Sequence, residues 1–312
     1  MSVDKYKVSI CVTTYNHEKF IQRALDSILS QEVNFNYQIV ISDDCSTDRT
    51  REIILEYKKL YPDKIKAILN DPNLGVVANF FSAITQCDGE YIAILDGDDA
   101  MLPQKLQKQV DYLNQNLDCA IVSHQVRVFD SETNKTLDFF KSPNKNQTKF
   151  TVEDLINYGN FISSPSKMFR KSSMPKNGID PNIQFVADWY LSIENALNGN
   201  IGFIDECLAE YRSHNKSFMK SINGKNHFEV ISYIINSLET RFPGRFSNLF
   251  NRNWAYAYLI YTTFHIKNNN FKEARTTIFK SIKNKPFYSL SQYFYLTWAY
   301  IPFLGFIFKK IR

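Results

Sequence analysis

The sequence predicts an α/β protein with a mostly parallel sheet, helices on both faces and an α-helical region appended after it. Three observations predict this. Short apolar runs alternate with helical patterns over the first 125 residues. Aspartate clusters fall directly behind two of those runs. From about residue 225 onward the pattern becomes helical, aromatic and basic.

Val8–Thr13, Tyr37–Ser42, Ile65–Leu69, Tyr91–Leu95 and Cys119–Ser123 read as buried strands, being apolar or β-branched and too short for helices. Between them Phe20, Ile21, Ala24, Leu25 and Ile28 fall at helical spacing. So do Ile53, Ile54, Tyr57 and Leu60, and then Leu102, Leu106, Val110 and Leu113. Strand–helix alternation of this length folds into a mostly parallel sheet covered on both faces, and ligands then bind beyond the carboxyl ends of the strands. Residues 126–150 are polar and turn-rich and read as a surface excursion. Thr151-x-x-Asp154 is a capping signal for a helix through Tyr158. Met168–Arg170 reads as strand, Trp189–Leu197 as helix and Ile201–Ile204 as a short strand. The expected division is a catalytic domain over 1–224 and a helical region over 225–312.

A chain of 312 residues suffices for one catalytic domain plus an appendage. The five cysteines, Cys11, Cys45, Cys87, Cys119 and Cys207, are odd in number and widely spaced without a CxxC pair. They argue for reduced thiols in a cytoplasmic protein, not a disulfide framework or zinc site. The N-terminal residues run directly into a strand and carry no secretory signal. Net charge is uneven: −7 over residues 1–215 and +12 over 216–312. An acidic body with a basic end suggests an anionic partner for that end, either a membrane surface or nucleic acid.

The second strand runs into Asp43-Asp44-Cys45-Ser46-Thr47-Asp48 and the fourth into Asp96-Gly97-Asp98-Asp99. Carboxylates crowded at one sheet rim repel one another unless a cation or hydrogen-bond donors compensate. Hard oxygen ligands on a loop suit Mg²⁺ or Mn²⁺, which usually share coordination with substrate phosphates. Capping of the next helix is the competing reading, strongest for Asp48. Other phosphate chemistries fit poorly: no GxxxxGK(S/T) loop follows the first strand, and no GxGxxG is present. In Thr13-Thr14-Tyr15-Asn16-His17 the tyrosine is either a base-stacking residue or a core aromatic. No nucleic-acid-binding motif accompanies the basic end, and the acidic body would repel a phosphate backbone.

VSICVTTYN, ISDDCSTDRT, NLGVVANF, GEYIAILDGDD and KLQKQVDYL, in this order, resemble the family-two glycosyltransferases of the GT-A fold that build bacterial cell-surface polysaccharides. The resemblance runs from Val8 to about His214. It implies an inverting transferase that uses a nucleoside-diphosphate sugar, UDP-linked, with Mn²⁺ or Mg²⁺, and a glycan or lipid-linked acceptor. By resemblance Thr13, Tyr15 and Asp44 hold the base, Asn73, Gly75 and Asn79 line the donor pocket, and Asp96 faces the nucleotide sugar. Asp98 would bind the metal, and His214 of Tyr211-Arg212-Ser213-His214 would complete its shell. Phe185-Val186-Ala187-Asp188-Trp189 matches the stretch bearing the general base, which makes Asp188 that base, although Ala187 replaces the more usual Glu. Asp188 also fits as a helix cap, and His214 as a residue of no special role. Ala100-Met101 depart from the aromatics common in relatives, so acceptor preference does not carry over. A non-catalytic sugar-nucleotide-binding protein is the alternative; retention of Asp96, Asp98 and Asp188 together argues against it.

Between Lys285 and Lys309 lie 23 uncharged residues, ten of them aromatic, and KKIR closes the chain. Three readings are open: attachment at a membrane interface, ordinary helical packing, and a span weakened by Ser289, Ser291, Gln292 and Pro302. The preceding segment from Asn270 to Arg275 reads as part of a helical hairpin, which favours packing.

Overall fold

The computed structural model describes residues 6–175, 180, 183, 187–214 and 223–301. The chain divides into two compact units, Met1–His214 and Asn215–Arg312. The expected boundary at 224/225 falls at the start of the first helix of the second unit.

In the first unit β1 (Val8–Thr14), β2 (Tyr37–Asp43), β3 (Ile65–Leu69) and β4 (Tyr91–Asp96) alternate with α1 (Ile21–Leu29), α2 (Thr50–Leu60) and α3 (Val76–Ile84). There follow β5 (Ala100–Met101), α4 (Lys105–Gln115), β6 (Cys119–Asp130), β7 (Thr136–Phe140), β8 (Lys149–Phe150), α5 (Val152–Tyr158), β9 (Met168–Arg170), α6 (Ala187–Ala196) and β10 (Asn200–Ser213). These strands form one ten-stranded sheet whose main path runs β3-β2-β1-β4-β9-β6-β10-β5. β3, β2, β1, β4, β6 and β10 run one way, and β9 is inserted antiparallel between β4 and β6.

The core follows from alternation. Val8, Ile10 and Val12 of β1, Ile39 and Ile41 of β2 and Tyr91, Ala93 and Leu95 of β4 share one face. There they pack against the apolar stripes of α1 (Ile21, Ala24, Leu25, Ile28) and α4 (Leu106, Val110, Leu113). α3 packs against β1 and β2.

Two local expectations change. The excursion over 126–150 contains strand: β6 continues to Asp130 and pairs with β7, whose five residues are all exposed. The short strand at Ile201–Ile204 is the start of β10, which continues to Ser213 through register shifts around Cys207. NLGVVANF supplies a helix, α3. The capping box at Thr151 and Asp154 is present: Asp154 N donates to Thr151 Oγ1 at 3.2 Å and Thr151 N to Asp154 Oδ2 at 2.9 Å. All five cysteines are free thiols.

In the second unit, α7 (Gly224–Arg241), α8 (Phe250–Lys267), α9 (Phe271–Asn284) and α10 (Leu290–Tyr300) pack together. α8 and α9 form a hairpin fastened by Thr262 Oγ1 to Thr277 Oγ1 (2.9 Å) and Ser281 Oγ to Ala255 O (2.6 Å). α10 lies on this pair. Gln292 Nε2 donates to Ser281 Oγ (3.0 Å), and Ala299 packs with Ile266 and Ala274. Packing therefore accounts for the 290–300 part of the aromatic segment. Among the described residues no helix is long and apolar enough to cross a membrane. Pro302 and the terminal Lys309, Lys310 and Arg312 lie outside the described residues.

Candidate active site

The ends of β1, β2 and β4 are locked to one another by backbone bonds. Asp44 N donates to Thr14 O (3.0 Å) and Gly97 N to Thr13 O (2.8 Å). Gly97 is required by that closeness: a Cβ there would lie 2.8 Å from the Thr14 side chain and 2.9 Å from His17 Nδ1. The acidic turn after β4 thus packs directly on β1.

At the β2 end the first cluster separates into distinct roles. Asp43 is fully buried and accepts from Ser46 N (3.0 Å) and Arg51 Nε (2.7 Å). Asp48 Oδ1 accepts from Thr50 N (2.9 Å) and Thr50 Oγ1 (2.5 Å), while Oδ2 accepts from Glu18 N (3.1 Å). Burial would raise the Asp48 carboxyl, but these hydrogen bonds outweigh it and hold the group below its usual range. Asp48 thus ties the first residue of α2 to Glu18, while the N-cap of α2 is Arg49, without a side-chain cap bond. Asp44 grips the next loop: Oδ1 accepts from Leu74 N (2.7 Å), Oδ2 from Gly75 N (2.9 Å), and its carbonyl accepts from Asn73 Nδ2 (2.6 Å). Gly75 opens α3 at φ +85°, a conformation that needs glycine. Asn79, on that helix, is buried and accepts from Asn70 Nδ2 at 2.9 Å. Tyr15 is 46% exposed, so it is not a core aromatic.

At the β4 end Asp96 Oδ1 accepts from Thr13 Oγ1 at 2.8 Å. Burial and the neighbouring Asp98 push Asp96 up to about 7 against the Thr13 bond. Asp98 Oδ2 meets His214 Nε2 at 2.9 Å, across 116 positions of sequence. Burial opposes ionisation of Asp98, yet the His214 bond and the nearby His17 imidazole hold it below the usual carboxylate range. Asp99 Oδ1 accepts from Arg212 N (2.9 Å), and Arg212 Nε donates to the Asp98 carbonyl (2.9 Å). The last turn of β10 therefore straps the acidic loop in place. Burial beside two other carboxylates raises Asp99 well above its usual value.

The donor set suits a divalent cation. Asp98 Oδ2 and His214 Nε2 bond to each other, and Asp99 Oδ2 and His17 Nδ1 are buried without a hydrogen-bond partner among the described residues. Among the described residues no cluster of three or more metal-ligating side chains occurs.

Asp188 is the second residue of α6, within its first turn, with Oδ2 accepting from Asn160 Nδ2 at 2.8 Å. The preceding Phe185 and Val186 lie outside the described residues. Lys167 connects Asp188 to the β4 cluster. It is fully buried, its Nζ donates to the Asp188 carbonyl at 2.7 Å, and its own carbonyl accepts from Ile94 N at 3.2 Å. Burial lowers the Lys167 ammonium to about 8 against the pull of Asp188 and Asp96. Asn160, Lys167 and the strapping role of Arg212 were not foreseen. The available signal for Lys167 was a lysine set directly against the apolar strand Met168-Phe169.

The structure thus unites Thr13 with Asp96, Asp44 with Asn73 and Gly75, Asp98 with His214, and Asp188 with Lys167. A cavity of about 340 Å³ lies at the opposite end of β4, lined by Glu90, Arg170, Lys171 and Ser172, away from these carboxylates.

Comparison with known proteins follows the same lines. The family model described as Glycosyl transferase family 2 matches residues 9–176. An uncharacterised protein of Mycobacterium tuberculosis is 36% identical over 208 residues, 66% of this chain and 59% of its own length. The chain thus spans less than two thirds of the first curated relatives it matches. The O-antigen biosynthesis glycosyltransferase WbnJ of Escherichia coli is 27% identical over 235 residues, 72% of this chain and 86% of that one. Among solved structures, S. aureus TarS 1–349 in complex with UDP-GlcNAc has a TM-score of 0.63 at 20% identity, covering 90% of this chain and 82% of that one. The mannosyltransferase PcManGT from Pyrobaculum calidifontis, in complex with GDP-Man and Mn²⁺, has a TM-score of 0.57 at 15% identity, covering 96% and 81%. At these identities the two structures establish the GT-A fold and nothing finer.

Proposed function

Because the chain belongs to glycosyl transferase family 2, we propose that it moves a sugar, with inversion, from a nucleoside-diphosphate sugar to a hydroxyl of a glycan or lipid-linked acceptor. The observation that carries this reading is that Asp98 and Asp188 both lie close enough to Asp96 to raise its carboxyl, with Asp98 bonded to His214. The donor is read as UDP-linked, in keeping with the UDP-GlcNAc bound by TarS. Thr13, Tyr15 and Asp44 are assigned to its base, Asn73, Gly75 and Asn79 to the donor pocket and Asp96 to its sugar.

In the reaction Asp188 takes the acceptor hydroxyl proton as the oxygen attacks the anomeric carbon. The bond from that carbon to the diphosphate breaks on the opposite face, and the nucleoside diphosphate leaves. General-base assistance of this kind is worth roughly 10²–10⁴-fold. Asn160 orients the carboxylate, and Lys167 holds the backbone beneath it. Mn²⁺ or Mg²⁺ held by Asp98 and His214 would supply neutralisation of the charge that grows on the leaving diphosphate.

The basic second unit exposes Phe287, Leu290, Tyr300 and Ile301. These side chains and the net charge of +12 over 216–312 support peripheral attachment to an anionic membrane surface on its cytoplasmic face, where a lipid-linked acceptor resides. A donor screen tests the catalytic reading: release of nucleoside diphosphate from a panel of nucleotide sugars with Mn²⁺ or Mg²⁺. Turnover of none of them, with acceptor-bearing membranes supplied, would refute it.

A further inference from the structure

A second cavity, of about 260 Å³, opens beside the strap that carries Asp98, lined by Arg23, Phe129, Ser131, Asn134 and Arg212. Its chemistry differs from that of the carboxylate rim. Three guanidinium groups surround the single Phe129 ring: Arg212 at 4.7 Å from its centroid, Arg23 and Arg127 each at 5.3 Å. Within this cluster Glu210 is the paired carboxylate, with one oxygen bonded to Arg23 and the other to Arg127 at 2.5 Å. Arg23 and Arg127 share Glu210, while Arg212 lies against the acidic loop of Asp98 and Asp99.

The hydrogen-bond inventory shows which cation is available. Arg127 is committed on every side, to Glu210, to Thr136 Oγ1 (2.9 Å) and to the Asn134 carbonyl (2.6 Å). Arg212 gives its Nε to Asp98 O, and its Nη1 reaches Ser131 Oγ only at 3.4 Å. Arg23, by contrast, uses Nη2 alone, on Glu210, and its side chain is 45% exposed. Its remaining N–H groups have no hydrogen-bond partner among the described residues. A planar donor fork beside a hydroxyl and a second guanidinium is a site for a tetrahedral oxyanion.

We propose that this cavity is a subsite for a phosphoryl group of the acceptor, held by Arg23, Arg212 and the Ser131 hydroxyl. Naming the acceptor as carrier rests on the glycosyltransferase reading; the anion site itself does not. The strap gives the placement meaning. Arg212 contacts Asp98 and Asp99 directly, so a phosphoryl group bound here lies one side chain away from the loop assigned to the donor. An acceptor so anchored would be held by its anionic part while its hydroxyl approaches the sugar. Such a group is carried equally by a lipid-linked phosphate and by a soluble or polymeric phosphate ester.

Calorimetry of inorganic pyrophosphate against the full chain, in EDTA, tests the site without any turnover. Pyrophosphate should bind, Arg23→Gln should weaken it about tenfold or more, and Arg23→Lys should recover part of the loss. Arg23 is half-exposed and Glu210 keeps Arg127, so the variant should melt with the wild type; Ser131→Ala gives a second, independent loss of affinity. No binding by the wild type, equal binding by both variants, or displacement of pyrophosphate by UDP would overturn the proposal, whether or not any nucleotide sugar is turned over. Two further arms identify the carrier and both support the site: glycerol 3-phosphate in solution, and phosphatidylcholine vesicles with and without a polyprenyl phosphate, each lost in Arg23→Gln.

Discussion

Asp188→Asn isolates the proton-transfer step. The amide is isosteric, and its oxygen accepts the 2.8 Å bond from Asn160 Nδ2 as the carboxylate does. The Lys167 and Ser192 bonds end on the Asp188 backbone carbonyl, which the substitution leaves alone. Placement of α6 should therefore survive while the proton acceptor is lost. Loss of general-base assistance predicts a fall in kcat of about 10²–10⁴-fold, equivalent to roughly 3–5 kcal/mol of transition-state stabilisation. The Kd for donor should stay within about threefold, because no donor contact is assigned to Asp188. Initial rates of nucleoside diphosphate release with acceptor, and calorimetry with donor alone, measure the two quantities separately. Transfer within about tenfold of wild type would remove Asp188 from the chemistry. Lost donor affinity would make it a donor-site or structural residue instead.

Three other outcomes are expected. Asp98→Ala should abolish metal-dependent donor turnover, and so should excess EDTA with the wild type; full activity in either case would refute the cation assignment. Lys105→Met should flatten the pH dependence of stability. Burial lowers this lysine to about 7 from 10.5, so between those values the unfolded chain holds a proton that the native chain lacks, and stability rises with pH by about 1.4 kcal/mol per unit; urea titrations at pH 7, 8 and 9 that show equal slopes for variant and wild type would refute this. Truncation after Ile301, which spares the packed helix α10, should lower flotation with anionic liposomes without changing the melting temperature of the remainder. Unchanged flotation would detach membrane binding from the terminal residues.

Much of the catalytic framework was legible because it is written in local patterns. β1, β2 and β4 are short, largely apolar runs, and the aspartates that close β2 and β4 land at the sheet rim by topology alone. What escaped reading depends on partners distant in sequence. β9 is only three residues long, and its insertion between β4 and β6 follows from pairing with Tyr91–Ala93 and Ile121–Val122, which no local signal announces. β10 was cut short because Asp205 and Glu206 interrupt its apolar run where the register shifts. Lys105 and Lys167 read as solvent-facing in any window of sequence. Once buried, each finds an acceptor for its Nζ, Gln109 Oε1 in one case and the Asp188 carbonyl in the other. The bonds of Asp48 to Thr50 and Glu18, which no local window shows, appear only in the folded chain.

The insertion of β9 also dictates an order of events during synthesis. β1 to β4 can pair as soon as residue 96 has emerged, since their connections are local and right-handed crossovers close readily. The β4 edge then stays unpaired until Met168–Arg170 arrives, and it carries Tyr91 to Leu95, an apolar run. Asp98 waits longer still, because His214 and Arg212 are among the last residues of the unit to leave the ribosome. A nascent chain of intermediate length therefore presents an open apolar strand edge together with an uncompensated acidic loop. Such a species invites edge-to-edge pairing with its neighbours on a polysome. The placement of one three-residue strand thus leaves that edge of β4 without its native partner over the whole interval between residues 96 and 168.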